Sequence, residues 1–295
     1  MNSLWTIRKL IGWTSEWFAE KQIPSPRLDA EILLSHALGC SRLDLYLTPD
    51  KPVDEKERTL FRSYIRRRSN GEPVAYIIER KEFWSRNFFV NRHVLIPRPE
   101  TEQVIETCLR LMETRQTPVI ADMGTGSGCI AVTLALELPE PRIAAVDYSS
   151  KAIDVARKNA EVWNVSEKIQ FFKGHWFEPL ETGLPPGSFD LIVSNPPYIR
   201  RSELNDLQVE IRDFEPVAAL DGGERGIDHY RILSRSAGKW LTRDGYIVFE
   251  IGDDQAEIIS GILLEQSFQS IDVLKDLSGR DRVITAQRGV DHAGA

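Results

Sequence analysis

After residue 118 this 295-residue chain alternates short apolar runs with longer amphipathic runs, and this alternation constrains its fold more than any other feature. The apolar runs predict seven strands, at Val119–Asp122, Ile143–Asp147, Ile169–Phe172, Phe189–Ser194, Tyr246–Glu250, Ile271–Leu274 and Arg282–Ala286. Helices are predicted between them, at Cys129–Leu138, Lys151–Trp163, a segment ending at Trp240, and Gln255–Gln266. This order indicates an α/β fold with a doubly wound, mostly parallel sheet. The last two strands have no helix between them, so we expect an antiparallel pair at one edge.

The first 70 residues carry a different pattern, which predicts a small helical domain. Ser25-Pro26 is a typical helix start, and a further amphipathic helix is predicted from about Asp54 to Arg68. The arginines at its end, residues 66–68, are interpreted as a solvated last turn that the helix dipole favours, with contact to an acidic partner as the alternative. One helical face carries apolar side chains that we expect to line the core: Trp5, Leu10, Trp13 and Trp17.

Between the two patterns, residues 71–97 are predicted to form a linker that contains a β-hairpin. Short alternating segments replace the helical period here, at Val74–Ile77, Phe83–Trp84 and Phe88–Val90. The sequence therefore divides into a helical domain at 1–70, a hairpin linker at 71–97, an α/β domain at 98–288 and a frayed tail at 289–295.

Charge and composition exclude several classes of function. The formal net charge of −7 argues weakly against a sequence-independent DNA binder and leaves a local basic patch open; no direct contact with nucleic acid is expected. No apolar run approaches the length of a membrane span. The three scattered cysteines fit reduced thiols, which predicts a cytoplasmic protein, and we expect a monomer. The five histidines have no metal-ligand spacing, so no metal site is predicted.

Asn195, Pro196, Pro197 and Tyr198 follow the fourth predicted strand and end it abruptly, because proline cannot donate to the ladder. Ligands bind at this edge of open α/β sheets. If Asn195 Oδ1 and the Pro196 carbonyl each accept one N–H of a planar –NH2 group, the nitrogen lone pair can be directed at an electrophile. Tyr198 can stack on the planar group. By itself the turn is equally consistent with an ordinary strand end.

A glycine-rich loop follows the first predicted strand of the sheet: Gly124, Thr125, Gly126, Ser127 and Gly128. Its G-x-G-x-G spacing differs from that of dinucleotide binders, and it has no phosphate-loop lysine. The next strand ends in Asp147, whose carboxylate can accept both hydroxyls of a ribose. Together these features predict a nucleoside ligand without a phosphate, and S-adenosyl-L-methionine fits this description.

Two further residues have a functional and a structural interpretation. Asp122 is predicted either to attract the ammonium of the cofactor's amino-acid arm or to be a structural acid. Trp176 follows the third predicted strand, and it packs either on the adenine edge or in the core.

With these sites assembled, the chain resembles the class I methyltransferases and, more narrowly, the release-factor glutamine N5-methyltransferase family. The resemblance covers nearly the whole chain. It rests on residues 71–77 (GEPVAYI), 96–102 (IPRPETE), 122–130 (DMGTGSGCI), 195–199 (NPPYI), 215–216 with 219–220 (EP, AL) and 281–283 (DRV). The NPPY turn alone is shared with amino-adenine methyltransferases, whereas its combination with IPRPETE and a helical N-terminal domain is more specific.

The resemblance implies a function. It implies methyl transfer from S-adenosylmethionine to the glutamine amide nitrogen in the Gly-Gly-Gln motif of class-1 peptide-chain release factors. It implies that residues 124–128, Asp147, Trp176 and Asn195 contact the cofactor, that residues 195–198 hold the glutamine amide, and that the helical domain helps to hold the release factor. Two residues depart from the family pattern. Glu79 replaces a usual glycine of the hairpin, and His175 replaces a common acidic residue before the aromatic one.

Two other functions are compatible with parts of this sequence, an adenine-N6 methyltransferase and a non-catalytic scaffold. An adenine-N6 methyltransferase on DNA or RNA would use the same turn on a flipped base, but it would need a basic groove. A non-catalytic scaffold would bind a partner through the helical domain and keep only a vestigial sheet. The intact glycine loop and NPPY turn argue against the scaffold.

Overall fold

The computed structural model of the chain describes residues 4–289. They form two compact units. The first, here called the helical unit, contains the residues up to Arg80 together with Gln208–Phe214. The second, the sheet unit, contains Lys81–Leu207 and the residues from Glu215 onward. The boundary at residue 80 falls inside the segment predicted as a linker. The predicted tail at 289–295 lies outside the described residues, apart from Gly289.

Five helices form most of the helical unit: α1 Ile7–Glu20, α2 Pro26–Leu38, α3 Arg42–Leu47, α4 Glu55–Ser69 and α5 Val74–Ile77. Proline at the first position of α2 confirms the predicted helix start. Helices α3 and α4 each begin with a capping box, formed by Ser41 with Asp44 and by Asp54 with Glu57. Each box satisfies two backbone N–H groups that the helix itself leaves without acceptors.

The core face of α1 differs from the predicted tryptophan stripe. Ile7, Leu10 and Phe18 are buried, whereas Trp13 is 48% exposed and stacks on Trp17. The 3.6-residue period places Ile7, Leu10 and Phe18 on one face and leaves Trp13 at its edge. The prediction that Trp13 lines the core was therefore wrong.

The arginine run that ends α4 is not wholly solvated, contrary to prediction. The side chain of Arg68 is 4% exposed and forms salt bridges with Asp29 at 2.7 Å and Glu210 at 2.5 Å. The partner Glu210 belongs to Gln208–Phe214, far away in the sequence, so no local pattern could reveal the pair. Breaking a buried pair by removing one partner typically costs 3–5 kcal/mol, so Arg68 is an anchor of the helical unit.

The predicted hairpin is present, but it is shorter than expected. Its strands are β1 Arg80–Phe83 and β2 Arg86–Phe89, joined by a turn in which Trp84 and Ser85 have φ values of 52° and 55°. Positive φ at both central residues is the geometry of a type I′ turn, which matches the strand twist. The segment Val74–Ile77 is a helical turn, not a strand. A four-residue apolar run cannot distinguish the two periods.

The sheet unit contains seven strands: β3 Val119–Met123, β4 Arg142–Asp147, β5 Ile169–Lys173, β6 Phe189–Ser194, β7 Leu241–Glu250, β8 Phe268–Lys275 and β9 Asp281–Arg288. Their spatial order is β5-β4-β3-β6-β7-β9-β8. The pairs from β5 through β7 are parallel, and β9 runs antiparallel to both β7 and β8. The predicted doubly wound sheet with one antiparallel edge pair is confirmed.

Helices in the second part of the chain are α6 Glu102–Met112, α7 Cys129–Glu137, α8 Ser150–Val162, α9 Val209–Arg212, α10 Asp228–Trp240 and α11 Ala256–Glu265. The short α9 belongs to the helical unit. Alternate strand residues face two separate apolar clusters. Leu191 and Val193 pack with side chains of α6 and α7, and Ile192 packs with side chains of α10 and α11. All six residues of β6 are buried, as expected of a central parallel strand.

Replacing Glu79 by glycine is expected to stabilise the protein. Glu79 is exposed and has φ 52°, a left-handed conformation that is strained for a residue with a Cβ. Glycine relieves this strain but adds conformational entropy to the unfolded chain, so the free energy of unfolding should rise by about 0.5–1 kcal/mol. Urea unfolding measures this free energy. The control is Glu82→Gly, at an exposed strand position without positive φ, which should lose stability. A loss in both variants would contradict the strain at Glu79.

Candidate active site

Two loops leave adjacent strands at one edge of the sheet. Met123 at the end of β3 pairs in register with Ser194 at the end of β6. The Ser194 hydroxyl donates to the Met123 carbonyl at 2.6 Å, which ties the two strand ends together. Gly124 and Asn195 therefore leave the sheet side by side. This is the point where the strand order reverses, the usual ligand position in doubly wound sheets.

The glycine-rich loop turns tightly at this edge. The backbone N–H groups of Gly124 and Thr125 both donate to the Val146 carbonyl at 2.9 Å. Gly124, Gly126 and Gly128 have φ values of 77°, 56° and 78°, which strain any residue with a Cβ. A Cβ on Gly128 would also lie 3.0 Å from Cβ of Ala156. The loop thus depends on glycine for both its conformation and its packing.

Asp147 ends β4 directly beside this loop. Its Oδ2 accepts from the Gly126 N–H at 2.9 Å, and its Oδ1 accepts from the Ser149 N–H at 2.8 Å. Burial raises the pKa of Asp147, and these two backbone hydrogen bonds act in the opposite direction. The carboxylate is held rigidly by one lone pair on each oxygen, so each oxygen retains a lone pair for a ligand hydroxyl.

Asp122 lies in β3 beneath the loop and is 0% exposed. Burial raises its pKa to about 7, although the hydrogen bond from the Thr125 hydroxyl and the nearby Ala131 N–H lower it. The Thr125 hydroxyl donates to Oδ2 at 2.6 Å. Asp122 therefore supports the loop through Thr125, whereas its predicted attraction for a ligand ammonium stays a prediction.

Trp176 approaches the same loop from the segment after β5. A Cβ on Gly124 would lie 3.6 Å from its ring, and the His229 ring lies 5.3 Å from it. Trp176 has φ 49°, and its buried Nε1 has no hydrogen-bond partner among residues 4–289. An N–H left in this state is costly unless a ligand or water accepts from it. His175, the departure from the family pattern, packs edge-on against Trp176 and Tyr148.

The NPPY turn is fixed by a buried polar network. Asn195 Nδ2 donates to Thr101 Oγ1 at 3.3 Å, and Thr101 Oγ1 donates to Glu250 Oε2 at 2.6 Å. The Tyr198 hydroxyl lies 3.5 Å from Glu250 Oε1. Burial raises the pKa of Glu250 to about 7, while Thr101, Arg282 and Asn195 lower it and the nearby Glu100 raises it.

The backbone after the turn is also held. The Ile199 N–H donates to the Leu220 carbonyl at 3.0 Å, and the Gly222 N–H donates to the Ile199 carbonyl at 2.8 Å. Gln255 Nε2 donates to the Tyr198 carbonyl at 3.0 Å. These bonds preorganise the turn before any ligand arrives.

Two acceptors of the turn remain available. In the described part of the chain, no group donates to Asn195 Oδ1 or to the Pro196 carbonyl. Asn195 is only partly buried, so a ligand can reach its side chain. These are the two oxygens that the sequence predicts as acceptors for an –NH2 group.

The structure thus brings together residues 124–128, Asp147, Trp176 and residues 195–198 at one edge, as predicted. Sequence analysis missed Thr101 and Glu250 as members of the site. One signal was present for Glu250, a carboxylate that ends a strand at the same edge as Asp147. Thr101 lies in the IPRPETE motif, but its partners are 94 and 149 residues away, so only the fold identifies its role.

A glycine loop, a strand-end carboxylate and an NPPY turn on this sheet define a class I methyltransferase. Solved structures share the fold. The hMettl16 catalytic domain matches 81% of this chain and 83% of its own, with a TM-score of 0.55 and 16% identity. A methyltransferase from Pyrococcus furiosus matches 71% of this chain and 92% of its own, with a TM-score of 0.51 and 18% identity.

Family models and curated relatives narrow the class. Residues 9–78 match the PrmC N-terminal domain, and residues 103–212 match the methyltransferase small domain. The release factor glutamine methyltransferase of Geobacter sulfurreducens is 41% identical over 97% of this chain and 98% of its own. That of Chlorobaculum tepidum is 42% identical over 95% and 96%. The chain belongs to the release factor glutamine methyltransferase family, and the prediction that it is a methyltransferase is confirmed.

Within residues 4–289, no helix is both long and apolar enough to cross a membrane. Across the same residues, no group of three or more histidine, cysteine or acidic side chains is placed to hold a metal ion.

The free protein is expected to lose stability as pH rises through 7, in part because Asp122 titrates there. Its pKa is about 7 when folded and has an ordinary value of 3.8, so the folded chain binds this proton more tightly. The resulting stabilisation is complete below pH 3.8 and is lost as pH rises through 7. Asp122→Asn removes this contribution. The melting temperature measured from about pH 5 to pH 8.5 should fall more steeply for the wild type; parallel curves would contradict the assignment.

Proposed function

We propose that this chain methylates the side-chain amide nitrogen of the glutamine in the Gly-Gly-Gln motif of class-1 peptide-chain release factors, with S-adenosylmethionine as methyl donor. One observation carries the proposal. The two free acceptors, Asn195 Oδ1 and the Pro196 carbonyl, lie on the loop beside the glycine-rich loop, at the edge where β3 and β6 end. Family membership supports the choice of substrate.

The residues around the glycine loop fit the cofactor. Gly124 and Gly126 leave room for close approach of a ligand to the backbone, and the oxygens of Asp147 keep free lone pairs for ribose hydroxyls. The unpartnered Trp176 Nε1 offers a donor, and its indole ring offers a face or edge for the adenine. When bound, S-adenosylmethionine would supply the electrophilic methyl group of its sulfonium for direct in-line transfer, in which the N–CH3 bond forms as the S–CH3 bond breaks and neutral S-adenosylhomocysteine is left.

The NPPY turn orients the acceptor nitrogen. A carboxamide nitrogen is a poor nucleophile because its lone pair is delocalised into the carbonyl. Asn195 Oδ1 and the Pro196 carbonyl each accept one of its N–H groups, which fixes the plane of the substrate amide, and Tyr198 stacks on that plane. Proximity and alignment are then the main catalytic contributions. No dedicated general base is required, because the alkylated amide nitrogen is strongly acidic and releases one proton to water.

Several finer predictions accompany this function. The helical unit is proposed to help hold the release factor, and we expect the enzyme to act as a monomer in the cytoplasm. No direct contact with nucleic acid is expected.

The substrate is tested first by offering labelled S-adenosylmethionine together with a purified release factor, its Gln→Ala variant in the Gly-Gly-Gln motif, and unmethylated DNA. Label on the intact release factor alone is the expected result. Label on DNA would instead indicate the adenine-N6 methyltransferase. Failure of the protein to bind S-adenosylmethionine would support a non-catalytic scaffold.

Replacing Asn195 by alanine is expected to lower kcat by roughly 10²–10³-fold, the usual effect of removing one preorganised polar contact to the reacting group. The dissociation constant of S-adenosylmethionine, measured by calorimetry, should change only modestly. Asn87→Ala is the matched control, because Asn87 is an exposed asparagine on β2, outside the NPPY turn and the hydrogen-bond network that holds it. Turnover retained in Asn195→Ala would overturn the mechanism.

A further inference from the structure

A hydroxyl and a carboxylate from outside the NPPY turn reach Asn195 through one chain of hydrogen bonds. Asn195 Nδ2 donates to Thr101 Oγ1, which donates to Glu250 Oε2. Thr101 is 2% exposed and Glu250 is 1% exposed, so bulk water does not substitute for either partner. The network is therefore the environment that decides how the Asn195 amide is turned.

The single proton of the Thr101 hydroxyl sets the donor-to-acceptor direction of these two hydrogen bonds. Above its pKa of about 7, the Glu250 carboxylate is ionised and can only accept, so the Thr101 proton is then committed to Glu250 at 2.6 Å. The hydroxyl then offers only lone pairs to Asn195, which must present its NH2 end. The reversed amide would place Oδ1 against those lone pairs and near a buried negative charge, where an unpaired oxygen is costly.

We propose that Thr101 and Glu250 are positioning residues for methyl transfer, which turn the Asn195 amide so that Oδ1 is the end presented to the substrate –NH2 group. The inference rests on the proposed function, in which Asn195 Oδ1 accepts a substrate N–H. A reversed Asn195 would present its own N–H groups to those of the substrate. The two residues act through Asn195 and do not touch the reacting atoms.

The segment that carries Thr101 is itself held in place. Glu215 is buried and receives two hydrogen bonds from this segment, from the Ile96 N–H at 3.3 Å and from Arg98 Nη2 at 2.5 Å. A 3₁₀ turn at Pro99–Thr101 then leads into α6. This arrangement gives the IPRPETE motif a physical role, namely to deliver one hydroxyl to the base of the NPPY turn.

Three variants test the hydroxyl, at about pH 8.5 so that Glu250 is ionised. Thr101→Val preserves shape but removes the hydroxyl, and it should lower kcat roughly tenfold, as expected for one lost hydrogen bond. Thr101→Ser restores the hydroxyl, so kcat should return to within about twofold of wild type. Thr107→Val is the matched control, because Thr107 is equally buried and donates only to the Gln103 carbonyl of its own helix.

Comparing kcat with stability and cofactor affinity in these variants distinguishes a positioning role of Thr101 from a packing role. S-adenosylmethionine affinity and the melting temperature should stay near wild type in Thr101→Ser, while kcat separates serine from valine. If the role of Thr101 were only to fill space, valine would be tolerated better than serine. Equal kcat in wild type and Thr101→Val would overturn the proposal.

A double-mutant cycle tests Glu250. Glu250→Gln can donate to Thr101 Oγ1 and release the hydroxyl proton toward a reversed Asn195, so it should lower kcat severalfold in the wild type. Its effect should be smaller in Thr101→Val, because the part transmitted through the Thr101 hydroxyl is already lost there and only the part through the Tyr198 hydroxyl remains. Equal effects in the two backgrounds, or none in the wild type, would contradict the role of Glu250.

A measurement without substrate keeps this inference separate from the proposed function. The side-chain ¹⁵N–¹H pair of Asn195, assigned by its loss in Asn195→Asp, should shift in Thr101→Val and stay near its wild-type position in Thr101→Ser. An unchanged pair in Thr101→Val would show that Thr101 does not hold the amide, whatever the substrate. A wild-type enzyme that leaves the release factor unlabelled would overturn the proposed function instead.

Discussion

The parallel pairing of β3 with β6 is the constraint on which the site depends. The register that joins Met123 to Ser194, 71 residues apart, places the two sequence motifs that follow them on adjacent loops. The strand order is β5-β4-β3-β6-β7-β9-β8. The chain that leaves β3 therefore continues to β4 on one side of the β3–β6 pair, and the chain that leaves β6 continues to β7 on the other side. Between the two exits, a ligand can meet both loops at once. Neither loop alone defines a transfer reaction.

The loops at this edge of the sheet are held rigid by buried carboxyl groups, whose removal from water is unfavourable. Asp122 and Glu250 are removed from water, and burial raises the pKa of each to about 7. Each carboxyl is retained because it orders a neighbour: Asp122 holds Thr125 of the glycine loop, and Glu250 holds Thr101 below the NPPY turn. A site that acts by alignment needs this kind of support, since a displacement of about 1 Å can cost a hundredfold in rate.

Glu79 and His175, the two unusual residues that sequence analysis singles out, differ in their consequences. Glu79 has a positive φ, so glycine would suit its backbone better, and the penalty concerns stability rather than chemistry. His175 packs edge-on against Trp176, beside the glycine loop. Its imidazole lies beside the proposed adenine position, where it can offer one donor or one acceptor nitrogen but no carboxylate.

The sequence by itself determined the strands, their parallel sense and the two loops at their ends, because a buried strand requires a continuous apolar run and proline and glycine stop or turn it locally. It did not determine that Val74–Ile77 is helical, that Trp13 is exposed or that Arg68 is buried. A short apolar run is compatible with either a helix or a strand, and the burial of a side chain depends on which distant segment of the chain packs against it. The Thr101–Glu250–Asn195 network was decided only by tertiary structure, because hydrogen bonds between residues 94 and 149 positions apart leave no periodic pattern in the sequence.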